Sequence, residues 1–90
     1  MSTSFVVKKM RDAAAQNNED HEIWAMSIDE AYEDYEKADV ILIGPQIRYA
    51  LNDIIAQSQK PVEVIDKKNY GLGKGAEILQ QAKSLYEKRG

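Results

Sequence analysis

The 90-residue chain carries twelve basic against fifteen acidic residues, a formal net charge of −3, and no cysteine. These values bound a single domain, residues 1–90, near the lower size limit for a core without cross-links; they exclude disulfides, a thiol nucleophile and cysteine-ligated metal. The charges are scattered, so no nucleic-acid patch is expected, and the longest apolar run, VILIG at Val40–Gly44, is far too short to cross a membrane.

In chain order, Ser2, Thr3 and Ser4 are helix N-cap types, and Val6, Met10, Ala13 and Ala14 then recur on one face. They predict a helix from about Thr3 to Gln16, stopped by the polar cluster QNNED. HEIWAMS, His21 to Ser27, mixes β-branched, aromatic and apolar residues without helical period and predicts a short strand. Ser27 with Glu30 forms a capping-box pattern, which predicts a helix over SIDEAYEDYEKA with Tyr32, Tyr35 and Ala38 inward.

Val40–Ile43 predicts a strand covered on both faces in a parallel sheet, ended by Gly44-Pro45. Ile47, Leu51, Ile54 and Ile55 then fall at helical spacing and predict a helix to about Gln57. Val62, Val64 and Ile65 in KPVEVID predict another strand, opened by a proline where a missing N–H does little harm. KKNYGLGKG reads as a loop, and a last helix from about Ala76 turns Ile78, Leu79, Ala82, Leu85 and Tyr86 inward. Its Lys- and Arg-rich end suits the negative helix pole.

Strict alternation of helix and strand predicts the α/β class, with a small open parallel sheet flanked by helices. Such sheets bind ligands at the carboxyl ends of their strands. GLGKG matches neither a dinucleotide nor a nucleotide phosphate loop and reads as glycines turning into the last helix. His21 is the only histidine, too few for a metal site or a triad, so no metal and no cofactor are expected. The carboxylates of Asp29, Glu30, Glu33, Asp34 and Glu36 read as a solvated face, and Trp24 and the five tyrosines as core and rim. Two stretches remain: STS at Ser2–Ser4, either an anion-binding nest or a plain cap, and GPQIRY, where Pro45 fixes a turn and Gln46, Arg48 or Tyr49 faces a partner or simply solvent.

Three segments, MSTSFVVKKM, ADVILIGPQIRYAL and KPVEVIDKKNYG with ILQQA, resemble the IIB component of the lactose/cellobiose class of bacterial phosphotransferase systems. The resemblance implies a cytoplasmic protein with a four-stranded parallel sheet of order 2-1-3-4. It also implies a relay: phosphate passes from a histidine of the IIA protein to a cysteine thiolate, then to a β-glucoside or cellobiose-type sugar on the membrane permease IIC. In that family the cysteine ends the first strand, shortly before a loop like GMSTS. The chain therefore resembles a member without its first, interior strand and nucleophile, with three strands left. A start assigned too late and a deliberate truncation would both give such a chain.

By the same resemblance, Ser2, Thr3 and Ser4 surround the phosphate, Pro45 and Gln46 lie in a neighbouring loop, and Tyr49 and Tyr70 belong to the partner-facing loops. Lys74-Gly75 stands where the family often has Asp-Gly. Without a thiolate the chain is expected not to relay phosphate. The bared strand edge is expected to close on HEIWAMS or to pair in a homodimer. The other reading is a non-catalytic domain that keeps the docking surface for IIA or IIC. A receiver- or flavodoxin-like module is disfavoured, since no acidic cluster follows a first strand and no flavin-loop pattern appears.

Overall fold

The computed structural model describes residues 3–88. Helix α1 covers Thr3–Gln16 and buries Val6, Met10, Ala13 and Ala14, the face given by their spacing. Asn18, in left-handed backbone at φ 57°, turns the chain away, a conformation asparagine tolerates better than most residues.

His21–Ser27 forms no strand, which corrects the expected third one. Side chains hold it at two points in place of a ladder. Arg11 donates from Nε to the Ile23 carbonyl at 2.8 Å and also from its NH2 group, and Trp24 Nε1 donates to Asp34 Oδ2 at 2.9 Å. Adjacent Ile23 and Trp24 are both half-buried while Ala25 and Met26 are exposed, so the segment has no alternating face to lay on a core. Ser27 and Glu30 do meet, Oγ donating to Oε1 at 3.4 Å. The next element is a 3₁₀ helix, Ala31–Lys37, instead of the expected α-helix. Four carboxylates at residues 30, 33, 34 and 36 repel one another across its turns. Tyr35 is buried, but Tyr32 stays 62% exposed and is not an inner-face residue.

Strands β1, Ile41–Ile43, and β2, Val62–Val64, pair in parallel with Ile41 opposite Val62 and Ile43 opposite Val64. They form the one sheet among the described residues, two strands wide. The crossover is a 3₁₀ turn at Pro45–Ala50 running into α2, Leu51–Ser58; Ile54 is buried, whereas Ile55 is exposed. After β2 the expected loop contains a helix, α3, Lys67–Leu72. Asp66 caps it by accepting the Asn69 N–H at 3.0 Å, and Gly73 at φ 64° ends it. Helix α4, Gly75–Lys88, buries Ile78, Leu79 and Ala82; Tyr86, expected inward, is exposed.

The layers follow from strand alternation. On one face, α1 and α4 pack with Ile65, Tyr70 and Leu42; on the other, Tyr35, Ala50 and Ile54 pack with Ile41, Ile43, Val62 and Val64. The fold is thus mixed α/β, mostly helical, with a small open parallel sheet between helices. Among the described residues no helix is long and apolar enough to cross a membrane.

Two contacts fasten α1 and its outgoing turn to α4. Gly75 lies so close to the Lys9 backbone that an added Cβ would overlap its carbonyl group. Lys83 Nζ meets Glu19 Oε2 at 2.6 Å, and His21 Nε2 lies 3.2 Å from the other oxygen. The Lys83 hydrogen bond, opposed by desolvation and helped by His21, holds the Glu19 carboxyl below its ordinary value. A lowered native value means stability that is fully present above the ordinary glutamate range and lost as the pH falls from there through the lowered value.

Gly75→Ala is expected to force α1 and α4 apart and to destabilise the protein by about 1–3 kcal/mol, read as a lower urea midpoint. For Glu19→Gln, thermal melts across a pH series should show a variant less stable than the parent at neutral pH. That deficit should close on acidification below the ordinary glutamate range; a deficit independent of pH would contradict the assigned role.

Candidate functional site

Three residues far apart in sequence meet at the carboxyl edge of the sheet. Gln46 follows β1 by three residues, Tyr70 stands on α3 just beyond β2, and Thr3 opens α1. Gln46 Nε2 donates to the Tyr70 hydroxyl at 3.1 Å. The same hydroxyl lies 3.3 Å from Thr3 Oγ1. Tyr70 is buried, so its ring fixes the position of the oxygen, while Thr3 and Gln46 are exposed and present their polar groups to solvent.

Local structure explains each placement. Pro45 stands at the first position of the 3₁₀ turn, where its fixed φ starts the turn and its missing N–H costs nothing. Gly44 then lets Gln46 fold back: a Cβ there would lie 2.6 Å from Gln46 Oε1. Gly44 is the contributor to the site that sequence reasoning misses, since it reads there only as the end of the strand. Its signal is its place between an apolar run and the Pro-Gln pair. Tyr70 reaches the edge because Asp66 and Gly73 set the start and stop of α3.

With Gln46 donating to it, the Tyr70 oxygen is free to donate its own proton to Thr3, which leaves the threonine proton for a group outside. Aligned hydrogen bonds of this kind polarise one another. Beside Thr3, the first N–H groups of α1 lack partners within the helix. The edge therefore offers donors, which suits an anion or a carbonyl acceptor.

Not every expected residue joins this cluster. Ser2 lies outside the described residues. Ser4 is exposed on α1. Pro45 acts through the backbone, and Tyr49, 72% exposed, stands out from the surface on the same 3₁₀ turn. His21 is paired with Glu19 away from the edge. Lys74 is exposed, and Gly73 and Gly75 are used by a helix cap and a helix contact, so GLGKG reads as the structural turn. Among the described residues no group of three or more His, Cys, Asp or Glu side chains could hold a metal.

Tyr70→Phe keeps the buried ring and removes the oxygen shared by Thr3 and Gln46. It should cost about 1 kcal/mol in chemical denaturation. A double-mutant cycle with Thr3→Val should show coupling between the two sites, and strict additivity would separate them.

Comparison with known proteins bears on the same residues. The family model for the PTS system lactose/cellobiose-specific IIB subunit matches residues 1–81. The oligo-beta-mannoside-specific EIIB component of Bacillus subtilis (strain 168) is 42% identical over 88 residues, covering 94% of this chain and 85% of that protein. The galactose-specific EIIB component of Lactococcus lactis subsp. cremoris (strain MG1363) and the cellobiose-specific EIIB component of L. lactis subsp. lactis (strain IL1403) are each 38% identical over 93 residues, covering 94% of this chain and 86% of theirs. The chain belongs to the lactose/cellobiose-specific IIB subunit family of the sugar phosphotransferase systems.

Proposed function

We propose that this chain is a cytoplasmic docking module of a phosphotransferase system for a β-glucoside or cellobiose-type sugar. It receives the phosphorylated IIA protein at the Thr3–Gln46–Tyr70 edge and faces the IIC permease with the same loops. The observation that carries this reading is the hydrogen-bonded chain from Gln46 through Tyr70 to Thr3 at the carboxyl end of the sheet. In this reading the phosphoryl group rests against the hydroxyls of Ser2, Thr3 and Ser4 and the open N–H groups of α1. Gln46 and Tyr70 hold Thr3 in its donating orientation from behind. Charge on the phosphoryl oxygens is met by donors already in place, so little reorganisation is required. Pro45 sets the turn, and Tyr49 supplies an exposed aromatic contact for the partner.

Covalent relay is a separate matter. Passing phosphate from a histidine to a sugar through IIB needs a thiolate to accept and release it, and none of the 90 residues is a cysteine. The Thr3 hydroxyl is bonded to a phenol, which is no base at neutral pH and does not make it a nucleophile. In this reading the 90 residues bind the phosphorylated partner, and the thiolate that takes its phosphate is not among them.

Titration of the labelled chain with phosphorylated IIA should shift the signals of Thr3, Gln46, Tyr49 and Tyr70. Gln46→Ala should weaken binding about fivefold, the loss of one hydrogen bond of about 1 kcal/mol. No phosphate should remain on the chain. Alkali-stable label on Ser2, Thr3 or Ser4 would overturn the non-covalent reading, and failure to bind phosphorylated IIA would overturn the docking one.

A further inference from the structure

The side of β2 turned away from β1 carries its own backbone groups. Successive residues of a strand send their N–H and C=O groups to opposite sides. Ile41 donates to the Pro61 carbonyl and Ile65 donates to the Ile43 carbonyl, both at 2.9 Å. Pro61, Glu63 and Ile65 therefore turn their backbone groups to β1, and Val62, Val64 and Asp66 turn theirs to the outer side. There the Gln81 side chain reaches over from α4. Its Nε2 donates to the Val64 carbonyl at 2.8 Å, and its Oε1 accepts the Asp66 N–H at 3.3 Å. A carbonyl and the N–H two residues on are the pair through which one residue of a parallel neighbour bonds, and an antiparallel neighbour needs both groups as well.

A third contact fixes which way the amide lies. Gln81 Nε2 also donates to Glu63 Oε1 at 2.6 Å, so both its protons and its oxygen are in use. Turned end for end, the amide would set its oxygen against a carbonyl and a carboxylate. Strand alternation places Glu63 for this contact: it lies opposite Leu42, which packs on the layer between α1 and α4. Buried Ile78 and Ala82 hold the neighbouring turn of α4 on the core, which brings Gln81 within reach.

We propose that Gln81 takes the place of a neighbouring strand and keeps the outer edge of β2 from pairing with a second copy of the chain. The edge needs such a cover. Val62, Val64 and Ile65 are all β-branched, and an open edge of that composition is a template for another strand. Pro61 sends its groups toward β1, so its missing N–H leaves the outer side unguarded. A second copy is the occupant kept out because two β2 edges related by a two-fold axis are self-complementary and pair antiparallel about Val64. The inference concerns β2 alone and holds whether or not phosphorylated IIA docks at the Thr3–Gln46–Tyr70 edge, since self-association is read with no partner present.

Gln81→Leu keeps the size and helix propensity of the residue and removes the amide. In dilute solution its Asp66 amide should exchange at least about tenfold faster than in the parent. As concentration rises, sedimentation should show the variant dimerising at least about tenfold more tightly than the parent, while the Val64 and Asp66 amides gain protection. Adding Val64→Pro, which removes an outward N–H at a position an edge strand tolerates, should restore the parent's behaviour. In the parent itself, the Asp66 amide should exchange slowly and neither amide should change with concentration. A folded Gln81→Leu chain that associates no more than the parent would overturn the proposal, as would association that leaves Val64 and Asp66 unprotected. A parent whose Asp66 amide exchanges freely, or whose two amides gain protection with concentration, would overturn it even where the variant does not fold.

Discussion

The contact between α1 and α4 at Gly75 sets the geometry of one whole side of the molecule. With no side chain at that position, α4 comes against the Lys9 backbone, and the two helices then share Val6, Met10, Ile78 and Leu79 as one apolar layer. To that layer the Thr3 hydroxyl on Tyr70 adds a polar tie between the start of α1 and the sheet edge. The position of Thr3 at the strand ends is therefore a result of packing about two helical turns away. A hydroxyl on an exposed helix end would otherwise be free to wander; here the helix beneath it is fixed by apolar burial, which is the larger force.

The site itself asks for few special residues. It uses one buried tyrosine as a shared oxygen, a glutamine allowed to fold back by the glycine before its proline, and the first described residue of a helix. Burying the ring while leaving its partners at the surface places a fixed acceptor and donor under two adjustable groups, which keeps the edge open to a ligand without leaving a polar atom stranded. Among the described residues no buried side-chain nitrogen or oxygen lacks a partner.

Much of this architecture is legible in the order of residues alone. The face Val6, Met10, Ala13, Ala14 places α1 within a residue, because helical period and burial agree. The unbroken apolar run Val40–Ile43 places β1, because a strand enclosed by helices needs no alternation, and Val62, Val64 and Ile65 behind Pro61 place β2. The short helix α3 escapes that reading although its signals are present: Asp66 before a six-residue run and Gly73 after it. Three glycines in nine residues outweigh them. His21–Ser27 has strand composition but no alternating face, and pairing is a property of two segments. At the site, Thr3, Gln46 and Tyr70 can each be named from the resemblance, yet their joining cannot be read, since 24 and 67 residues separate the bonded pairs.

The Glu19–Lys83 bond spans 64 residues and, with Gly75 on Lys9, joins α1 and its outgoing turn to α4. Such contacts reward the chain only after a long loop has closed, so they form late in folding and slow it relative to a locally connected helical bundle. During synthesis the first helix leaves the ribosome without its seat and waits for the last one to emerge. Until then its apolar stripe has only the part of its cover that Leu42, Ile65 and Tyr70 supply, and the newborn polypeptide exposes the rest.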